Sequence, residues 1–307
     1  MSDIGMTSAP AAKPAPKVLS PARRIARDFF EDPLACLGLA LFVLLVGLAV
    51  LAPWIAPQNP YDMMQLSILD GGQPPGAQSM TGTTYYLGTD QQGRDMLSAI
   101  LYGLRTSLVV AAGSLGIAIC IGVILGTAAA FIGGRLDSII MRIVDLQLSF
   151  PAILIALVLL ALLGRGVDKV VLALVIVQWA YFARTVRASA IVETRKDYID
   201  AARCLALPDR RIMFRHLLPN CVPPLIVVGT VQIAQAIALE ATLSFLGVGV
   251  PITQPSLGLL ISNGYDFLLS GRYWVSFFPG FALLILILAI NLMGDRLRDV
   301  LNPRLQK

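Results

Sequence analysis

The sequence has 307 residues, of which 56% are hydrophobic and only 14% are charged. Soluble domains contain about 25% charged residues, so this composition excludes an ordinary soluble domain and indicates a membrane protein. The formal net charge is +5, but the basic residues are dispersed among the connections between apolar runs, which favours a role in membrane topology over nucleic-acid binding. Cys36, Cys120, Cys204 and Cys221 have no paired spacing, so neither a disulfide framework nor a metal site is predicted.

The N-terminal segment is rich in Ala and Pro and has no apolar periodicity, which predicts a flexible tail over residues 1–30. The first apolar stretch, Leu34–Ala52, contains 19 uncharged residues. A cleavable signal peptide has an apolar region of only about 7 to 15 residues. We therefore expect a transmembrane helix over 31–56 rather than a signal peptide.

Six uncharged stretches approach the length of about 20 residues that a helix needs to cross a bilayer. The fourth stretch is short, and we extend it through Arg184 and Arg187, whose long side chains can reach the membrane interface. The fold class predicted is an all-α membrane protein with six transmembrane helices. The stretches are Leu34–Ala52, Thr106–Gly134, Leu146–Gly164, Val170–Ala183, Cys221–Leu239 and Tyr273–Gly294.

Six spans place both termini on one side of the membrane. The termini and the connections on their side carry 19 of the 24 Lys and Arg residues. Because basic residues accumulate in cytoplasmic connections, both termini are expected in the cytoplasm. The domain order is then a periplasmic loop over 57–105, a permease-like core over 106–300 with a cytoplasmic loop at 190–220, and a short cytoplasmic tail over 301–307.

Two features outside the cytoplasmic loop are predicted to serve folding. The segment GGQPPG at 71–76 breaks any helix, so the long outer loop should carry function or a small folded element. In the second span Gly122, Gly126 and Ala130 form a row of small residues that lets another helix approach closely. We favour packing within the chain over a dimerisation face.

The cytoplasmic loop interrupts the apolar runs with a basic, helix-forming segment. It is predicted to form one helix over about 194–205 and a second with Asp209 as N-cap, ending near Leu218 because Pro219 disfavours helix before it. Helices this short depend on packing against something else. The segment is therefore either a solvated loop that enforces topology or a docking element for a cytosolic protein.

The stretch DAARCLALPDRRIMFRHLLPN at 200–220 resembles the coupling loop of permease subunits in bacterial ABC importers. That pattern has Glu-Ala-Ala, a Gly four residues later and a Leu-Pro. Here Ala201 and Ala202 match, while Asp200 replaces the Glu and Ala206 replaces the Gly. An Ala needs about 1 kcal/mol or more to adopt a left-handed bend, so the bend is expected either to shift to 207–208 or to be right-handed.

Three further stretches resemble the C-type subunit of the dipeptide, oligopeptide and nickel class of these permeases. They are YYLGTDQQGRDMLSAILYG at 85–103, IVDLQLSFPAILIAL at 143–157, and EATLSFLGVGV through NLMGDRLRDVLNPR at 240–304. Within the first, LGTDQQGRD lacks the acidic ladder of an EF-hand Ca²⁺ loop. A structural turn that contacts a partner subunit or a binding protein is favoured.

The resemblance implies half of a transmembrane pore in the bacterial inner membrane. Its partners would be a homologous B-type permease, an extracytoplasmic binding protein and two ATPase subunits that bind ATP and Mg²⁺. The sequence has no G-x-x-x-x-G-K-[S/T] phosphate loop, so this chain is expected to hold no cofactor and to be a transport subunit rather than an enzyme. Short peptides are the favoured cargo, and nickel chelates, glutathione and sugar-containing compounds stay open.

The implied coupling residues occupy the cytoplasmic loop. An apolar ridge of Met213 and Leu217 beside a basic pair is predicted to dock the ATPases, since residues four apart share a helix face. The set expected to take part in coupling is Asp200, Ala201, Ala202, Ala206, Asp209, Arg211, Met213, Arg215 and Leu217.

Three polar residues in the fifth span are candidates for lining the pathway: Gln232, Gln235 and Glu240. Cross-helix hydrogen bonding, or for Glu240 capping or pairing, is the alternative. Arg142 and Asp145 are expected to form a local ion pair. His216 has no nucleophile pattern around it, so we expect it to have an interface or surface role. A secondary transporter would show an internal repeat. An intramembrane enzyme would show convergent catalytic groups. Neither signature is evident.

Overall fold

The computed structural model describes residues 21–62, 65–79, 82 and 84–301, and it is helical almost throughout these ranges. The tail at 1–20 and the last residues, 302–307, lie outside the described part of the chain. The helices are α1 (Pro21–Phe30), α2 (Pro33–Ile55), α3 (Met96–Ile132), α4 (Gly134–Leu148), α5 (Ala152–Leu163), α6 (Val167–Glu193), α7 (Asp197–Cys204), α8 (Asp209–Arg211), α9 (Leu218–Phe245), α10 (Leu257–Tyr265) and α11 (Trp274–Leu301). A π-helical turn (Ile212–Leu217), two 3₁₀ turns (Ile68–Asp70 and Leu268–Ser270) and two short strands, β1 (Ala77–Gln78) and β2 (Thr84–Tyr85), complete the described elements.

Side-chain caps fix where the first long helices begin. Asp32 accepts a hydrogen bond from the Leu34 amide at 2.9 Å, and Pro33 occupies the first helical position, where its missing N–H costs nothing. Asp95 caps α3 through the Ser98 amide at 2.8 Å. The first predicted span is confirmed as α2.

Five helical segments are long and apolar enough to cross a membrane, namely 33–55, 96–132, 167–193, 209–245 and 274–301, and the bent pair α4–α5 makes a sixth. The bent pair has to cross, because α3 and α6 run parallel. Gly113 lies beside Val171, and further along both helices Gly126 lies beside Ala183. The chain must return between two parallel helices, so the bent pair is counted as the sixth candidate span.

The third span differs from its sequence prediction. Instead of one straight helix over 146–164, α4 and α5 meet at an angle of 90°. Pro151 is the N-cap residue of α5, and proline disfavours helical geometry in the residue before it, which explains the break. The inner end of the fourth span also differs, because α6 continues to Glu193 rather than ending near Arg187.

The row of small residues in α3 serves packing within the chain, as predicted. A side chain at Gly122 would place its Cβ 2.5 Å from the Cβ of Phe182 and 2.7 Å from the carbonyl oxygen of Trp179. At Gly126 an added Cβ would overlap the backbone of Ala183. The backbones of α3 and α6 are therefore in close contact, and this pair forms the centre of the bundle.

The outer loop forms a small folded lobe around buried polar groups, as expected. Strands β1 and β2 pair in antiparallel fashion. The buried Asp70 accepts hydrogen bonds from the Ser79 hydroxyl at 2.9 Å and the Tyr85 hydroxyl at 3.1 Å. The predicted turn at 87–95 contains a buried ion pair between Arg94 Nε and Asp90 Oδ2 at 2.7 Å.

Candidate functional site

The bend of the loop at 190–220 lies at Ala206, which has a φ of +52°. Among the described residues it is the one non-glycine with a positive φ, and it occupies the position where the coupling-loop pattern has glycine. The bend is therefore left-handed and has not shifted, so both expected alternatives are wrong. The conformation costs an alanine about 1–2 kcal/mol, which packing on both sides of the bend must offset.

The loop packs tightly against the inner ends of three long helices. Ile199 and Ala202 of α7 point into a buried apolar cluster, and Phe131 at the end of α3 contacts that cluster. Outside the cluster the guanidinium of Arg203 lies 5.9 Å from the centre of the Phe131 ring. The cluster consists of Ala190, Ile199, Ala202, Ile212, Leu217 and Cys221.

A second contact ties α7 to α6 and α9 through polar groups. The Tyr198 hydroxyl donates to Glu193 Oε2 at 2.7 Å and accepts from Asn220 Nδ2 at 3.1 Å. Burial, together with the neighbouring Glu193 carboxylate, raises the pKa of Tyr198 to about 12. The phenol therefore stays protonated and keeps donating, and these bonds tie α7 to the ends of both helices.

The second helix of the loop differs from its prediction in two respects. Pro208, not Asp209, occupies the N-cap position, and no side chain caps the helix. The helix also does not stop before Pro219. It continues through the π turn into α9, with the Leu218 amide donating to the Met213 carbonyl five residues earlier. The wider turn accommodates a proline that a regular α-helix interior would exclude.

The predicted docking ridge is wrong in one of its two residues. Leu217 is fully buried in the cluster under the loop and Met213 is half-buried. The apolar side chains that face solvent are instead Leu205, which is 74% exposed, and Phe214, which is 47% exposed. Ala202 is buried like Leu217, and the remaining predicted coupling residues are exposed: Asp200, Ala201, Ala206, Asp209, Arg211 and Arg215.

Of the three residues predicted to line a pathway, Gln232 and Gln235 border one cleft and Glu240 does not. Gln235 is exposed, whereas Gln232 is largely buried beside the cleft. The backbone carbonyl of Gln232 accepts a hydrogen bond from Gln178 Nε2 at 2.9 Å. Glu240 is fully buried, accepting from Ser107 at 2.7 Å and Ser244 at 2.8 Å. Glu240 thus joins α3 to α9 rather than facing a pathway.

The predicted ion pair between Arg142 and Asp145 is replaced by longer-range pairs. Asp145 binds Arg184 on α6, and Asp137 receives Nη2 of Arg187 at 2.6 Å. Both pairs fasten α4 to α6. His216 is partly buried, and its Nε2 has no hydrogen-bond partner.

A cleft opens between α6, α9 and α11 on the same side as the loop. The part of the cleft nearer the loop, called the lower part, has a volume of about 820 Å³ and reaches Glu193 and Asn220. Both residues also form hydrogen bonds with Tyr198 of α7. The upper part of the cleft, about 540 Å³, reaches Gln232 and Gln235. The loop and the cleft therefore share the same supporting helices.

Sequence reasoning missed several of these residues, among them Tyr181, Thr185 and Arg298, which line the cleft. They are scattered over two distant helices, so no local spacing marks them. Leu205 could have been found, because it directly precedes the position of the pattern glycine, where the chain must bend.

Five or six candidate membrane spans with a loop packed under a cleft indicate the class of integral-membrane transport subunits. The fold matches an inward-facing structure of the MetNI methionine ABC transporter at a TM-score of 0.55 and 20% identity, over 67% of this chain and 98% of the matched chain. The family of binding-protein-dependent transport system inner membrane components matches residues 118–307. The N-terminal transmembrane domain of oligopeptide transport permease C matches residues 20–75.

Similar full-length proteins agree with this assignment. The chain is 37% identical to the di/tripeptide transport system permease protein DppC of Pseudomonas aeruginosa, over 98% of both chains. It is 39% identical to the dipeptide transport system permease protein DppC of Escherichia coli K12, over 95% of this chain and 96% of that one. The chain belongs to the family of binding-protein-dependent permeases and is a permease subunit of an ABC importer. It is a transport subunit and not an enzyme.

Proposed function

We propose that this chain forms one half of an import pathway for short peptides in the bacterial inner membrane, with both termini in the cytoplasm. A homologous B-type permease supplies the other half, and an extracytoplasmic binding protein delivers the cargo. Two ATPase subunits bind ATP and Mg²⁺ and dock on the cytoplasmic loop. The similarity to dipeptide permeases supports the cargo class.

The observation that carries this proposal is the connection between the loop and the cleft. Tyr198 of the loop bonds to Glu193 and Asn220, and those two residues line the lower cleft. A force applied to α7 by a docked ATPase is transmitted to α6 and α9 without a flexible linker. Closure of the ATPases therefore moves the walls of the cleft, which is the coupling that an importer requires.

The exposed surface of the loop supports the docking role. Leu205 and Phe214 leave apolar area uncovered next to the bend. Apolar anchors surrounded by polar residues are typical of interface hot spots. In the assembled importer these two side chains insert into the surface of an ATPase.

Peptide uptake by cells tests the function. Cells without peptide permeases of their own would express the B-type permease, both ATPases and the binding protein, with or without this chain, and be supplied with radiolabelled dialanine. Uptake is expected only when this chain is present. Uptake of a nickel chelate, glutathione or an oligosaccharide in place of dialanine would reject the cargo but keep the class.

Cysteine labelling tests the orientation. In a chain that lacks the four native cysteines, an impermeant reagent applied outside should modify Gln78→Cys and spare Lys196→Cys. Labelling of position 196 instead would reverse the topology and place the loop on the wrong side for ATPases.

A further inference from the structure

The cleft between α6, α9 and α11 has the size and position of a ligand site. Its two parts share Thr185, Val227, Val228 and Arg298, so they adjoin. Along α9 the cleft extends from Asn220 to Gln235, which is about 22 Å at the helical rise of 1.5 Å per residue. The upper part, about 540 Å³, lies within the range of small-ligand pockets, about 300–1,000 Å³.

The upper part of the cleft is electropositive. Its lining contains two arginines and no acidic residue among the described residues that form it. Arg184 is already paired with Asp145 on α4. Arg298 has no ion pair in the described part of the chain, and its neighbours Asp295 and Asp299 do not line the cavity.

Neutral hydrogen-bonding groups and apolar groups complete the lining. The polar members other than the arginines are Tyr181, Thr185, Gln232 and Gln235, and Val227, Val228, Val231 and Leu148 supply the apolar wall. A guanidinium forms two parallel hydrogen bonds with a carboxylate, a geometry that hydroxyl and amide groups can extend. The combination fits a small molecule with a carboxylate at one end and an apolar side chain beside it.

We propose that Arg298 binds the free carboxylate of the transported peptide in this cleft during passage to the cytoplasm. The inference rests on the proposed function and adds a named contact residue to it. Arg298 is the unpaired cation of the cleft, while Arg184 keeps its structural bond to α4. The valines of α9 contact the adjoining side chain of the peptide.

Charged cysteine reagents test the electrostatics without any cargo. The assembled complex carries Thr185→Cys, and the rate of cysteine modification is measured with an anionic and with a cationic methanethiosulfonate. The complex that lacks this cysteine serves as the blank. The anionic reagent should react faster. Arg298→Gln should lower the ratio of anionic to cationic rates by about tenfold, since two unit charges within one protein cleft interact by about 1 kcal/mol or more.

Arg142→Gln is the matched control, because Arg142 is exposed on α4 and lies outside the cleft. It should leave the ratio unchanged. An unchanged ratio in Arg298→Gln, or an equal fall in Arg142→Gln, would overturn the proposal. Size-exclusion elution of each variant complex confirms that assembly is retained.

Uptake of dialanine supplies the second arm. Arg298→Gln should lower the initial rate about tenfold, and Arg298→Lys should restore part of it because the charge is kept. Wild-type uptake by Arg298→Gln would contradict the proposal. Absence of uptake by the wild-type complex would instead reject the proposed function, and the reagent ratio would still decide whether Arg298 makes the cleft electropositive.

Discussion

Replacement of Leu205 by Asp should uncouple the ATPases while leaving the permease folded. Leu205 is 74% exposed, so the substitution removes little packing from the chain itself. Full burial of a leucine side chain stabilises an interface by about 1.5–3 kcal/mol. Covering the exposed three quarters on docking therefore contributes about 1–2 kcal/mol, and Leu205→Ala should weaken ATPase binding about 5- to 30-fold.

An aspartate at the same position adds the cost of desolvating an unpaired charge, which is several kcal/mol. Leu205→Asp should thus reduce ATPase co-purification more than 100-fold and abolish dialanine uptake. The measurement is quantitative co-purification of the ATPases in detergent, followed by uptake in cells.

Leu69 offers a matched control, because it is 75% exposed but belongs to the outer lobe. Leu69→Asp should retain the ATPases fully. Leu217→Asp gives the opposite contrast, because that side chain is buried and the substitution should prevent folding of the loop. Normal co-purification and uptake with Leu205→Asp would refute the assignment of this side chain as an anchor.

Three further predictions concern stability. Ala206→Gly removes the left-handed strain from the folded loop but increases the conformational entropy of the unfolded chain. The net effect should stabilise the loop by about 0.5–1 kcal/mol. Hydrogen exchange over 197–212 should therefore become slower, and faster exchange would contradict the prediction. Arg94→Met leaves the buried Asp90 charge unpaired, so it should destabilise the outer lobe by about 3–5 kcal/mol and expose it to proteolysis, and a protease-resistant variant would argue against the ion pair. Ser107→Ala removes one hydrogen bond to Glu240 and should cost about 1 kcal/mol in thermal unfolding, whereas no change would show that this bond contributes nothing.

The sequence alone predicts the spans well because the membrane imposes a strict length and polarity requirement on each helix. The exception is instructive. Pro151 was visible in the sequence, but whether a proline kinks a helix or separates two helices depends on the surrounding contacts. Here Arg184 and Arg187 of α6 bind the carboxylates of Asp145 and Asp137 and fasten α4 to α6. Those two pairs join residues that are distant in the sequence, so no local pattern predicts them.

In the coupling loop the sequence identifies the segment but not the face that it exposes. Met213 and Leu217 share a helix face, yet the π turn over 212–217 rotates that stretch so that Leu217 packs inward. A π turn has no reliable sequence signature. The left-handed Ala206 differs from both expected alternatives, because only the fold decides whether an alanine bears that strain.

The pathway residues were the least predictable part. Polarity within an apolar span indicates that a residue is special, but it does not distinguish Gln235, which is exposed, from Glu240, which is enclosed by serines. Arg298 was hidden for the opposite reason, since basic residues near the inner end of a span are expected for topology alone. Its lack of an ion partner becomes visible only when α6 and α9 are placed around it.

Reconstitution in proteoliposomes tests the central claim most directly. Vesicles that contain this chain, the B-type permease and both ATPases, with ATP and Mg²⁺ on the ATPase side and loaded binding protein on the other, should transport labelled dialanine to the ATPase side. Matched vesicles without this chain should transport none and should lose the hydrolysis stimulated by the loaded binding protein. Equal transport with and without this chain would contradict the account.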